Sequence, residues 1–176
     1  MKNKLLIIVT ILSILSLTAC STKKAITSEN FKNYMEVYKY PYTDYDEEYG
    51  EDFVKNFGIE LNSDAHILII EANLNNSSNI EDTDIEAGAG IMFIEGFPDN
   101  KSAKQFCENT LKAFSNKSET ETSTAMVQGV NFRTESTATQ NGYVRCTAID
   151  TTVCIGIATE TNKVSTVDTI MQSMGY

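Results

Sequence analysis

The sequence has few of the residues that common functional motifs need. Its 176 residues include no tryptophan, two prolines and one histidine, and the net charge is −10. With a single histidine and no CxxC pair, a structural zinc site is disfavoured. Nucleic-acid binding is also disfavoured, because phosphate would repel an acidic chain that has no long run of lysine or arginine. The 41% of apolar residues is typical of a globular protein.

Motifs of the common enzyme classes are missing as well. The sequence has no G-x-S-x-G elbow, no H-E-x-x-H pair and no P-loop, and Gly88-Ala89-Gly90 lacks the third glycine of a dinucleotide fingerprint. A catalytic cysteine would need His66 as its base, and we interpret His66 as a packed or surface residue at the edge of a strand. We therefore assign no catalytic residue, no cofactor and no metal ligand, and we expect a protein that is not an enzyme.

The N-terminus carries the most specific pattern. Two lysines precede a thirteen-residue apolar stretch, 5–17. This stretch is shorter than the about 20 residues that a bilayer span needs. It ends in Leu17-Thr18-Ala19-Cys20. That segment resembles the lipobox of bacterial lipoproteins, in which a leucine and small residues precede the modified cysteine.

The resemblance implies a defined processing and location. Residues 1–19 are then a signal peptide, and Cys20 becomes the N-terminus and carries a diacylglycerol with fatty chains such as palmitate. Two acyl chains make a stable membrane anchor. We therefore expect a lipoprotein of the cell envelope, attached to the cell membrane and facing outside the cytoplasm. Residues 20–26 are its lipidated tether and residues 27–176 its single domain.

The hydrophobic pattern predicts an α+β domain with the order α-β-β-α-β-β-β-α. Short turns between strands favour an antiparallel sheet with helices packed on it. The predicted helices are 28–38, 99–116 and 163–174, and the predicted strands are 65–72, 89–97, 125–135, 143–149 and 152–158. In outline the chain also loosely resembles small uncharacterised lipoproteins of Gram-positive bacteria, which end in a helix followed by Gly-Tyr, here Gly175-Tyr176.

The register of the last hairpin bears on the cysteines. Alternation favours pairing of Val144, Cys146 and Ala148 with Ile157, Ile155 and Val153. Cys146 and Cys154 then face opposite sides of the sheet, and a one-residue slip would bring them together. We favour free thiols over a Cys146–Cys154 bond, and a Cys107–Cys146 contact is the next alternative.

Two acidic runs, Asp44-Asp46-Glu48 and Asp82-Asp84-Glu86, have the alternation of a calcium loop. Neither run places glycine and glutamate at the sixth and twelfth positions that an EF-hand requires. We expect solvated loops, and a weak carboxylate site remains an alternative. Because anionic headgroups repel acids, we also expect the acidic N-terminal half of the domain to point away from the membrane.

A cluster of aromatic residues is the candidate binding region. Five tyrosines lie within twelve residues, beside several acids: Tyr38, Tyr40, Tyr42, Tyr45 and Tyr49. Such a cluster can form a contact surface for a protein or glycan partner, and ordinary packing is the alternative. The sequence thus favours a binding or interaction module. The alternative is a structural or envelope-maintenance lipoprotein without a small-molecule ligand, and an enzyme ranks third.

Overall fold

The computed structural model describes residues 22–63, 65–75, 88–116, 123–139 and 142–176. The lipobox, the run Asp82-Asp84-Glu86 and residues 117–122 lie outside these residues. The helices are α1 (Ser28–Tyr38), α2 (Glu47–Asn56), α3 (Asn100–Ser115) and α4 (Val164–Ser173). The strands are β1 (Tyr42–Tyr45), β2 (Leu68–Asn73), β3 (Ala89–Glu95), β4 (Ser123–Gln128), β5 (Phe132–Thr139), β6 (Gly142–Ile149) and β7 (Thr152–Ala158).

The strands form one sheet in the order β1-β2-β3-β7-β6-β5-β4, and every neighbouring pair is antiparallel. Helices α1 and α4 pack on one face of the sheet, through residues such as Phe31 and Val167. Helices α2 and α3 pack on the other face, through residues such as Val54 and Phe106. The predicted α+β domain with an antiparallel sheet is therefore confirmed, and the sheet is covered by helices on both faces.

The hairpin of β6 and β7 has the predicted register. Val144 pairs with Ile157, Cys146 with Ile155, and Ala148 with Val153. Cys146 and Cys154 consequently lie in different core clusters on the two faces of the sheet. A within-hairpin disulfide is excluded by this geometry.

The predicted free thiols are nevertheless wrong, because Cys107 forms a disulfide with Cys146. Helix α3 lies across β6 on the face to which Cys146 points, and the two Cα atoms are 5.4 Å apart. This separation is typical of disulfides. Cys154 is the remaining free cysteine of the described chain, and it is buried on the opposite face.

The acidic stretch after Tyr42 is ordered where a solvated loop was expected. Residues 42–45 add an edge strand to the sheet, and α2 follows at once. Asp46 caps this helix, since its carboxylate accepts a hydrogen bond from the main-chain N–H of Tyr49 at 2.9 Å. Acids at the start of α2 and Lys55 at its end complement the helix dipole. The predicted strand 125–135 is likewise divided, by a turn at 129–131, into β4 and β5.

The chain joins the domain earlier than the predicted boundary at Thr27. The main-chain N–H of Lys23 donates to Asn131 Oδ1 at 3.0 Å, and Asn131 Nδ2 donates to the carbonyl oxygen of Lys23 at 2.7 Å. Ala25 and Ile26 pack against the core beneath α1 and α4. Most of the segment expected to be a tether is therefore held against the domain.

Candidate binding site

A cavity of about 610 Å³ opens at the end of the sheet where β5 and β7 end and β6 begins. Helix α4 forms its second wall, through Val164, Ser165 and Asp168. A smaller groove of about 440 Å³ lies elsewhere, between residues 58–62 and the start of α3, and its lining is mainly polar. The larger cavity combines apolar and polar groups and is the candidate binding site.

Small residues in three neighbouring strands make room for this cavity. Ala138, Tyr143 and Ala158 lie in one row across β5, β6 and β7, and all three line the cavity. Gly142 has a positive φ of 138°, and a Cβ there would lie 2.6 Å from the carbonyl oxygen of Ala158. Only glycine permits this close approach of β6 to β7. The alanines and the ring of Tyr143 therefore give the cavity an apolar floor.

Asp168 is the polar centre of the site. Tyr143 donates its hydroxyl hydrogen to Asp168 Oδ1 at 2.8 Å, and Arg145 Nη1 donates to the same oxygen at 3.2 Å. Arg145 Nη2 also donates to the main-chain oxygen of Tyr176 at 2.8 Å, which fixes the guanidinium. Asp168 Oδ2 has no hydrogen-bond partner within the described chain. This oxygen is thus available to accept a hydrogen bond from a ligand.

The protonation of Tyr143 follows from its surroundings. Burial, together with the hydrogen bond to Asp168, raises the pKa of Tyr143 to about 12. The phenol therefore remains a hydrogen-bond donor at neutral pH. Arg145 already compensates the negative charge of Asp168. The site therefore offers hydrogen bonds to a ligand but only a weak electrostatic attraction for a cation.

Hydroxyl groups complete the lining. Thr139 ends β5, Thr159 directly follows β7, Thr161 begins a 3-10 turn before α4, and Ser165 lies on the first turn of α4. Within the described part of the chain, the cavity lining has no histidine, cysteine or lysine. The chemistry that they offer is hydrogen bonding and apolar contact. Sequence reasoning missed this site, because no local pattern joins Tyr143 to Asp168.

The five predicted tyrosines do not share one surface. Strand β1 separates them, with Tyr42 on the α1 side and Tyr45 on the α2 side of the sheet. On the α1 side, Tyr38 stacks on Tyr34 with ring centroids 4.8 Å apart, and the Tyr42 hydroxyl donates to Glu36 at 2.9 Å. Tyr40 is half-buried against the same core.

On the α2 side, Tyr45 stacks on Tyr49 with ring centroids 4.5 Å apart. The Tyr45 hydroxyl donates to Glu71 at 2.8 Å, and burial together with this bond raises the pKa of Tyr45 to about 12. Of the five, only Tyr38 and Tyr49 are exposed, at 53% and 44%. These two lie on opposite sides of the edge strand, so the geometry divides the predicted surface into two small pairs.

The first acidic run is used in local contacts. Asp44 pairs with Lys32 at 2.7 Å, and Asp46 caps α2. His66 is an exposed residue that pairs with Glu47. Among the residues that the structure describes, no three acidic, histidine or cysteine side chains group as metal ligands. In the same part of the chain, no helix has the length and apolar character of a bilayer span.

Comparison with known proteins gives no relative: no family model, no curated protein and no solved structure matches the chain.

Proposed function

We propose that this protein is a bacterial lipoprotein, anchored to the cell membrane through acylated Cys20, whose extracytoplasmic domain is a binding module. Its ligand site is the cavity between the β5–β6–β7 strand ends and α4. The observation that carries the binding role is the arrangement around Asp168, where a charge-balanced carboxylate and an apolar floor converge in one cavity. Cavities of this mixed lining are typical of small-ligand sites.

The disulfide supports the placement outside the cytoplasm. Bonds such as Cys107–Cys146 form and persist in oxidising compartments, whereas cytosolic thiols are kept reduced. Two independent features, the lipobox-like Leu17-Thr18-Ala19-Cys20 and the buried cross-link, therefore favour the same side of the membrane.

The lining favours a neutral, hydroxyl-bearing ligand such as a sugar or a glycan fragment. Asp168 Oδ2 can accept a hydrogen bond from a ligand hydroxyl, and the hydroxyls of Thr161 and Ser165 can both donate and accept. The Tyr143 ring and the two alanines offer an apolar surface for the C–H face of a sugar ring. A cationic ligand is less well served, because Arg145 lies beside the carboxylate.

A thermal-shift screen of neutral mono- and oligosaccharides tests the binding role. We expect at least one sugar to raise the melting temperature of the wild type. The same sugar should not change the melting temperature of Ser165→Trp, because the indole at this cavity-lining position fills the cavity. Gln172→Trp is the matched control, because it is exposed at the other end of the same helix. Binding that survives Ser165→Trp, or no stabilising sugar at all, would favour the structural lipoprotein instead.

Metabolic labelling with an alkyne fatty acid tests the anchor. The wild type should be labelled and should sediment with membranes, and Cys20→Ala should do neither. A mature wild-type protein without label would reject the lipoprotein assignment. Affinity purification from the native membranes, compared with Cys20→Ala, then asks whether a protein partner is recovered.

A further inference from the structure

The segment that leads to Cys20 is fixed on one corner of the domain. The main-chain N–H and carbonyl oxygen of Lys23 both form hydrogen bonds with the side-chain amide of Asn131. In addition, Lys23 Nζ donates to the carbonyl oxygen of Gly175 at 3.0 Å. The same Nζ lies 5.3 Å from the ring centroid of Phe132. Two residues then separate Lys23 from Cys20, and the three Cα–Cα steps between them can span at most about 11 Å. An acyl anchor on Cys20 would therefore hold this corner beside the bilayer.

Four segments and one residue meet at this corner, which we call the anchoring corner: 22–24, 99–104, 129–131, 150–151 and Gly175. Asn100 Nδ2 joins two of the segments by donating to the carbonyl oxygens of Asn131 at 2.7 Å and Asp150 at 3.2 Å. Lys104 Nζ donates to the carbonyl oxygens of Gly129 at 3.4 Å and Val130 at 3.1 Å. Side-chain hydrogen bonds therefore link the segments of the anchoring corner to one another.

The chemistry of the anchoring corner differs from that of the rest of the molecule. Its segments contain four lysines and two aspartates, in a chain whose net charge is −10. Lys24 and Lys101 are exposed, and Val130 at the tip of the β4–β5 turn is 63% exposed. An exposed apolar tip between cations suits the interface of an anionic bilayer.

The β1 edge of the sheet, which carries Asp44, is the edge opposite β4. Six strand spacings separate the two edges by about 29 Å. The candidate cavity lies at the other end of β6, seven residues from Ile149, or about 23 Å along the strand. Contact at the anchoring corner therefore leaves the candidate cavity away from the lipid.

We infer that the anchoring corner docks on an anionic lipid surface, with Val130 at the interface and Lys24 and Lys101 facing the headgroups. The inference rests on the proposed acylation of Cys20 and deepens it, because it fixes which side of the domain meets the membrane. The docked domain presents its cavity to the envelope.

Site-specific quenching tests this orientation on the full acylated protein in vesicles of phosphatidylcholine and phosphatidylglycerol. An environment-sensitive fluorophore is attached to Val130→Cys or, as the distal control, to Glu160→Cys, which is exposed beside the cavity end. The introduced cysteine is the reactive one, since Cys107 and Cys146 are bonded and Cys154 is buried. Lipids with a nitroxide headgroup should quench the label at position 130 and leave the label at 160 bright.

Charge reversal tests the role of the lysines. Each lysine near an anionic surface contributes about a fivefold preference. Because each reversal replaces a positive charge by a negative one, Lys24→Glu and Lys101→Glu should each weaken the docking equilibrium reported by quenching at 130 by about 25-fold, and Lys55→Glu, on helix α2, should not. Vesicles of phosphatidylcholine alone should reproduce the loss.

The outcomes separate this inference from the proposed function. Equal quenching at 130 and 160, or quenching that is indifferent to lipid charge and to both reversals, overturns the docking while the protein still floats with the vesicles. A protein that does not float at all overturns the acylation on which the docking depends. Melting curves of each variant show that the exposed substitutions leave the domain folded.

Discussion

Removal of the Cys107–Cys146 cross-link should cost the domain a large part of its stability. The two cysteines are 39 positions apart. In the chain-entropy description, a closed loop of this length stabilises the folded state by about 4 kcal/mol at 25 °C, because it restricts the unfolded chain. Single domains are stable by only about 5–15 kcal/mol, so the double variant Cys107→Ala/Cys146→Ala should approach the unfolding threshold.

Urea denaturation, followed by circular dichroism, measures this loss. With a slope of about 2 kcal/mol per molar, the midpoint should fall by about 2 M. Truncation of the two buried sulfur atoms adds its own packing cost. Cys154→Ala is the matched control, because it removes one buried sulfur and no cross-link. Twice the decrease in the free energy of unfolding of Cys154→Ala is subtracted from the decrease measured for the double variant. The difference is the contribution of the cross-link.

One result would refute the reasoning. If the free energy of unfolding of the double variant falls by no more than twice the decrease found for Cys154→Ala, the cross-link does not restrict the unfolded chain as described. Urea denaturation of the wild type in the presence of a reductant, which opens the disulfide and leaves the three thiols unmodified, should give a similar deficit by a second route.

Three further predictions concern packing, thiol reactivity and pH. Gly156→Ala should lower the free energy of unfolding by about 1–3 kcal/mol, because its Cβ would lie 2.3 Å from Val167 Cγ1 and 2.6 Å from Met171 Sδ; equal stability would contradict the close fit of α4 on β7. Mass spectrometry after alkylation of the acylated protein should find no label on the native form, one on the denatured form and three after reduction. An additional label in each state would mean an unmodified Cys20. Because the pKa of Tyr143 is raised to about 12, its contribution to stability is complete below pH 10 and is lost as the pH rises toward 12. Tyr143→Phe should therefore flatten the alkaline decline measured by urea denaturation, and an unchanged slope would contradict the assignment.

The sequence predicted the parts of the fold that local patterns determine. The β6–β7 register follows from alternation over two adjacent strands, since a slip by one residue would expose the apolar set. Thr27 caps α1 and Asp99 caps α3, and threonine and aspartate are residue types that favour this position. These features depend on residues that are close together in the chain.

Features that depend on distant residues were not predictable in the same way. The interior side of α3 is evident from its apolar spacing, but its crossing over β6, which brings Cys107 to Cys146, is a property of the whole sheet. The same holds for Asp168, which the pattern of α4 marks only as a polar position. For α2, however, a local signal existed, because Asp46 is a good cap and Val54 follows on the buried side. The high content of acid obscured it.

The position of the N-terminal segment links the two proposals. A free tether of seven residues would let the domain turn in any direction above the membrane, and no orientation could then be derived from the anchor. The bonds of Lys23 to Asn131 and Gly175 fix the chain at a point that only two residues separate from Cys20. When the anchoring corner contacts the bilayer, the cavity beside Asp168 lies at the opposite end of β6, about one strand length from the lipid. A ligand that reaches it would come from the envelope space, which is the side on which soluble glycans, rather than the acyl chains of membrane lipids, are available.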